Sequence, residues 1–128
     1  MTHKISEGVK INVETYYQPE YSNPAGNEFM FAYKIIIENN NSFPVQLLSR
    51  HWYIFDSNGS LREAEGEGVI GVQPILKPGG SYQYISGCNL RTDMGKMHGT
   101  YLFENLHKKK TFIAEIPEFQ MIAPFKMN

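Results

Sequence analysis

Residues Phe29 to Glu38 read Phe-Met-Phe-Ala-Tyr-Lys-Ile-Ile-Ile-Glu. Phe29, Phe31, Tyr33, Ile35 and Ile37 fall on alternate positions, and Met30, Ala32, Lys34, Ile36 and Glu38 fill the positions between them. Neighbouring side chains of a strand point to opposite faces, so the first set is a core face and the second is only partly polar. A run this apolar on both faces predicts a central strand.

The same period of two runs outward in both directions. Upstream, Val9, Ile11 and Val13 alternate with Lys10, Asn12 and Glu14. Downstream, Val45 to Asp56 reads as a third strand, with Leu48, Trp52 and Ile54 expected on one face. Turn residues punctuate these runs: Asn23-Pro24-Ala25-Gly26, Asn39-Asn40-Asn41-Ser42, and Asp56-Ser57-Asn58-Gly59 with its Asn-Gly hairpin signal. Further strands are expected at Leu61 to Ala64, around Tyr82 and Tyr84, at Gly99 to Glu104 and at Thr111 to Ile116. The connections are a glycine-rich loop from Gly66 to Gly71, a turn at Lys77-Pro78-Gly79-Gly80, a loop from Ser86 to Gly99 and a turn over Asn105 to Lys110. No stretch sustains a helical period with caps. Seven or more short antiparallel strands predict an all-β sandwich of immunoglobulin or fibronectin type III style, with a small closed barrel as the alternative.

The chain has 128 residues, which suits one domain spanning 1–128 with its core at about 5–122. A net charge of -1 argues against nucleic acid or an anionic membrane as partner. Cys88 is the lone cysteine, so no internal disulfide forms, which favours a reducing compartment. The first residues lack the apolar stretch of a signal peptide, and a cytoplasmic location is expected.

Ordered blocks of this sequence resemble the ApaG family. Leu47 to Gly59 (LLSRHWYIFDSNG) is similar to the family's LLxRxWxIxDxxG, and Gly66 to Gly79 (GEGVIGVQPILKPG) to its GxGVVGxQPxLxPG. Tyr82 to Tyr101 resembles YxYxSGxxLxTxxGxMxGxY, and Ile116-Pro117-Glu118-Phe119 resembles a late IPxF. Ala64, Ile70 and the loop from Gln18 to Asn27 depart from the pattern. The resemblance implies an immunoglobulin-like or fibronectin-like sandwich. The family also occurs within eukaryotic F-box and polymerase-interacting proteins, which implies protein recognition, and its bacterial members are associated with cobalt resistance and magnesium efflux.

Chemistry-bearing motifs are few. Gly66 to Gly71 fits G-x-G-x-x-G, but Pro74, Pro78 and Gly79 forbid the helix that a dinucleotide fold requires next. The plain reading is glycines permitting positive φ in a tight crossing. The functional alternative is a backbone nest of N–H groups at Gly66, Gly68 and Gly71 that binds a phosphate-containing anion, with Arg50 or Arg91 supplying charge. That alternative requires the loops bearing Gly66 and Arg91 to meet at one end of the sandwich. Arg50 shares a face with Trp52, which argues instead for a paired or stacked guanidinium at the core rim. Glu63, Glu65 and Glu67 alternate and read as a charged edge that discourages strand addition. His3, His51, His98 and His107 lack metal-ligand spacing, so no metal site and no cofactor is expected. No nucleophile–base pair is legible, so no catalytic residue is assigned. The expectation is a non-enzymatic binding domain whose partner is another protein, by strand addition or an aromatic sheet face. A phosphate, pyrophosphate or nucleotide sensor at the glycine loop is the alternative.

Overall fold

A computed structural model describes residues 2–124 of the chain. Nine strands follow in order: β1 (Thr2–Ser6), β2 (Val9–Tyr17), β3 (Phe29–Asn39), β4 (Val45–Asp56), β5 (Leu61–Glu67), β6 (Ile75–Leu76), β7 (Ser81–Leu90), β8 (Met94–Asn105) and β9 (Lys110–Ile122). They form two antiparallel sheets, ordered β1-β2-β3-β7 and β5-β4-β8-β9, with β6 pairing one end of β4. The molecule is therefore an all-β sandwich. Between the strands the helical segments are two three-residue 3₁₀ turns, Pro19–Tyr21 and Pro24–Gly26. No helix among the described residues is long and apolar enough to cross a membrane.

β3 lies between β2 and β7, as its two-sided apolarity predicts. Its inward residues Phe31, Ile35 and Ile37 are buried against Leu47, Trp52, Tyr101, Phe103 and Phe119 of the opposite sheet. β1 was not expected from sequence. Its exposed centre, His3 and Lys4, hides the alternation, and the turn that folds it back is Glu7-Gly8, both at positive φ. That is the conformation of a tight two-residue hairpin.

Two bulges correct the face assignments. β4 carries an extra residue at Leu48, where the register steps from Leu47↔Phe103 to Ser49↔Leu102. Before the bulge Val45 and Leu47 point inward, and after it Arg50, Trp52, Ile54 and Asp56 do. Leu48 therefore does not share the face of Trp52. In β9 the register steps between Phe119 and Ile116, so Pro117 and Glu118 oppose the single residue His98. Proline has no N–H to give a ladder, and a bulge accommodates it. β9 consequently continues to Ile122 instead of stopping at Ile116.

The sandwich is closed along one side and open along the other. On the closed side β1 lies against β9: the backbone N–H of Glu115 donates to the Ser6 hydroxyl, and Lys4 pairs with Glu115. On the open side β7 ends one sheet and β5 ends the other.

Candidate functional site

The open side begins with β7, whose ten residues, Ser-Tyr-Gln-Tyr-Ile-Ser-Gly-Cys-Asn-Leu, include no charge. Its pairing with β3 is unbroken from Glu38↔Ser81 to Phe29↔Leu90. The Gly80 carbonyl accepts from the Asn39 N–H, so even-numbered residues bond β3. Strand alternation then turns the N–H and C=O groups of Ser81, Gln83, Ile85, Gly87 and Asn89 outward. The Asn89 carbonyl does accept from outside, from the Arg62 guanidinium. No other hydrogen bond from the described residues reaches this outer row at Ser81, Gln83, Ile85 or Gly87. Ile85, midway along it, is 62% exposed.

β5 is built differently. Glu63, Glu65 and Glu67 point outward and Arg62, Ala64 and Gly66 inward, because these last three pair with the inward residues Ile54, Trp52 and Arg50. His51 sits on the outer face with one ring nitrogen 3.1 Å from Glu63 and the other 3.1 Å from Glu65. A strand carrying four charges in seven residues is a guarded edge, whereas an uncharged ten-residue edge is a template for pairing.

Between the two edges lies a cleft of about 250 Å³ lined by Tyr33, Arg50, Arg62, Ala64, Ser86 and Cys88. Arg50 donates through Nη1 to the carbonyls of Glu67 (3.0 Å) and Gly68 (2.9 Å). Its guanidinium covers Gly66 so closely that a Cβ there would lie 2.7 Å from Nη2. Arg62 reaches the Asn89 carbonyl and approaches the Cys88 Sγ at 3.9 Å. Burial pushes the Cys88 thiol up from its ordinary value, against the opposing pull of Arg62. The thiol is thus a poor nucleophile, and no histidine lines the cleft beside it.

Behind the cleft, burial raises the hydroxyls of Tyr84, Tyr101 and Tyr33 above the ordinary tyrosine value, and Tyr84 and Tyr101 hydrogen-bond to each other. A raised folded-state pKa means a stabilising contribution present below the unfolded value of about 10 and lost as pH rises past it. The expected result is alkaline unfolding above about pH 10, with part of the tyrosinate absorbance at 295 nm appearing only in that transition. Full tyrosine ionisation with near-ultraviolet dichroism intact would contradict the burial of this cluster.

The residues singled out from sequence separate in space. Gly66 is no loop residue: it lies extended within β5. Gly68 and Gly71 do take positive φ, and Ile70-Gly71 forms the two-residue turn joining Val69 to Val72. Three N–H groups of this loop, those of Gly68, Val69 and Val72, donate to the carbonyls of Leu48, Val72 and Val69. They serve the fold and do not converge on a point. Arg50 meets the loop at its carbonyls. Arg91 is not there at all: with Thr92 it forms the short β7–β8 turn against Asp56, at the far end of β4 from Leu48. Ser86 to Gly99 is likewise no loop, since β7 continues to Leu90 and β8 begins at Met94. Arg62, which sequence reasoning passed over, is the second cation of the cleft. Its only signal was its place opposite Glu63 in the alternation of β5.

The outer face of β4 and β8 carries a ladder of rings, His51 on Tyr53 (4.5 Å), Tyr53 on His98 (5.1 Å) and His98 on Phe55 (5.6 Å), with Lys96 over Phe55. The ring faces are spent on each other, which leaves little for a ligand to stack on.

The profile of the ApaG domain matches residues 19–105. The chain belongs to the ApaG family. It is 40% identical over 128 residues to Protein ApaG of Agrobacterium fabrum, covering 100% of this chain and 98% of that protein. Protein ApaG of Acidithiobacillus ferrooxidans is 44% identical over 115 residues, 90% of each chain. The crystal structure of the ApaA protein of Bordetella pertussis superposes with a TM-score of 0.88 at 40% identity, over 91% of this chain and 94% of that one.

Proposed function

We propose that this ApaG-family chain is a non-enzymatic recognition domain that accepts an extended segment of another protein as an added strand on β7. The observation that supports this reading is the outer row of β7: ten uncharged residues, unpaired along Ser81 to Gly87, on the one side of the sandwich that is not closed. Main-chain bonds to such an edge give affinity and alternate side-chain pockets give selectivity. The free Cys88 thiol supports a reducing compartment, hence the cytoplasm. The association with cobalt and magnesium rests on family resemblance alone.

The test is a displayed library of random ten-residue peptides selected on the chain and then measured on two variants. Gln83→Pro removes an outward N–H without touching the β3 ladder, and edge positions of this kind tolerate proline. Ile85→Lys adds the charge that guards natural edges. Selected peptides are expected to lose about tenfold or more in affinity on either variant, the scale of one or two backbone hydrogen bonds. Undiminished binding to both folded variants would overturn the reading. So would concentration-dependent self-association through β7, which would make a second copy the occupant.

A further inference from the structure

The cleft beside β7 has a charge character that the edge alone does not explain. β5 sorts its charges by face, with Glu63, Glu65 and Glu67 outward and Arg62 inward. Arg50, across from Gly66, adds a second inward guanidinium. Among the described residues neither arginine has a carboxylate within salt-bridge distance. Their acceptors are the carbonyls of Glu67, Gly68 and Asn89 and the Cys88 sulfur. Two cations at the mouth of a core, hydrogen-bonded to neutral acceptors alone, leave N–H donors unused. The small residues Ala64 and Gly66 keep the floor between them low.

A strand added to β7 places alternate side chains on its inner side, beside Ser86 and Cys88 and facing the inner side of β5. Resting on the strand-addition reading, we infer that the accepted segment carries carboxylates at those inward positions, where Arg50 and Arg62 receive them. Gly66, opposite Arg50, and Arg62 lie four positions apart on β5, a span of about 13 Å at 3.3 Å per residue. Inward positions four residues apart on the added strand match that span, so the pattern is acid-x-x-x-acid within an otherwise neutral strand. Charge-assisted bonds to a fixed guanidinium fork discriminate carboxylate from its neutral amide isostere. Arg62 would exchange the Asn89 carbonyl for the incoming carboxylate, which also frees that carbonyl for the ladder.

The probe is a labelled nine-residue peptide, acetyl-Thr-Glu-Thr-Val-Thr-Glu-Thr-Val-Thr-amide, compared with its twin in which both Glu are Gln. Affinities are read by fluorescence anisotropy, and the bound site by amide hydrogen exchange. At low salt, about 50 mM, the Glu peptide is expected to bind about tenfold tighter than the Gln peptide. That preference should collapse on Arg62→Gln, at an exposed position, with circular dichroism confirming that the variant is folded. Equal affinities, with Gln83 and Ile85 protected by both peptides, would overturn the inference and leave the edge reading standing. Binding by neither peptide, or protection elsewhere on the surface, would overturn both.

Discussion

Trp52→Ala lowers the free energy of unfolding by about 3–5 kcal/mol, the range for truncating a large core aromatic. Trp52 is 3% exposed. Its ring meets Tyr33 of the opposite sheet edge-on at 5.4 Å, and Phe119 and Tyr101 of its own sheet at 5.9 and 6.4 Å. Its cross-strand neighbours are the two smallest residues available, Ala64 and Gly99. Gly99 is fixed by backbone approach, since a Cβ there would lie 2.2 Å from the His51 carbonyl oxygen. The ring therefore fills space that no neighbour can close over. Truncation leaves a cavity between two sheets already held apart by their own aromatic contacts, so relaxation recovers little. Urea unfolding of the two proteins measures the loss, with equal m-values licensing the comparison. A variant melting within about 2 °C of the parent would show that Trp52 is not core.

The second large effect belongs to Asp56→Ala, at about 3 kcal/mol. Asp56 ends β4 and is 6% exposed. Its carboxylate accepts from the backbone N–H of Arg91 at 3.1 Å, the N–H of Thr92 at 3.1 Å and the Thr92 hydroxyl at 2.7 Å. These bonds tie the β7–β8 turn, where the chain crosses from one sheet to the other, to the end of β4. Each buried donor left without a partner costs about 1–3 kcal/mol, and bonds to a charged acceptor sit at the upper end. Asp56→Asn keeps one acceptor but turns an NH₂ toward donors, so an intermediate loss is expected. The same urea titration checks both variants. A loss below about 1 kcal/mol for the alanine variant would mean that water replaces the carboxylate at the turn.

The sequence announced much of the fold because the alternation in β2 and β3 is carried by large apolar residues with one reading. It failed where a single extra residue inverts the faces. The bulge at Leu48 lies inside a run, Gln46-Leu47-Leu48-Ser49, whose hydrophobicity suits either register. The strand expected at Thr111 to Ile116 runs on through Pro117, because the bulge that admits the proline is a property of the β8–β9 pair and not of β9 alone. The candidate site was harder still. Arg50 and Gly66 were both legible as motif residues, and their contact followed from pairing β4 with β5. Arg91 looked equivalent to Arg50 only because loop positions are set by strand direction, and β4 separates the two ends of the sandwich. Whether β7 is an edge depends on which strands flank it. No local pattern in Ser81 to Leu90 carries that information, although the lack of charge there takes on meaning once the edge is known.

The open edge of β7 is tested most directly by residue-resolved amide hydrogen exchange, with and without a library-selected peptide. In the free chain Tyr82, Tyr84 and Ser86, bonded to β3, exchange slowly, and Gln83, Ile85 and Gly87 exchange freely. On peptide binding, Gln83, Ile85 and Gly87 become protected along with their neighbours. Protection of those three amides in the free chain, or a bound peptide that leaves them exchanging freely, would contradict the account.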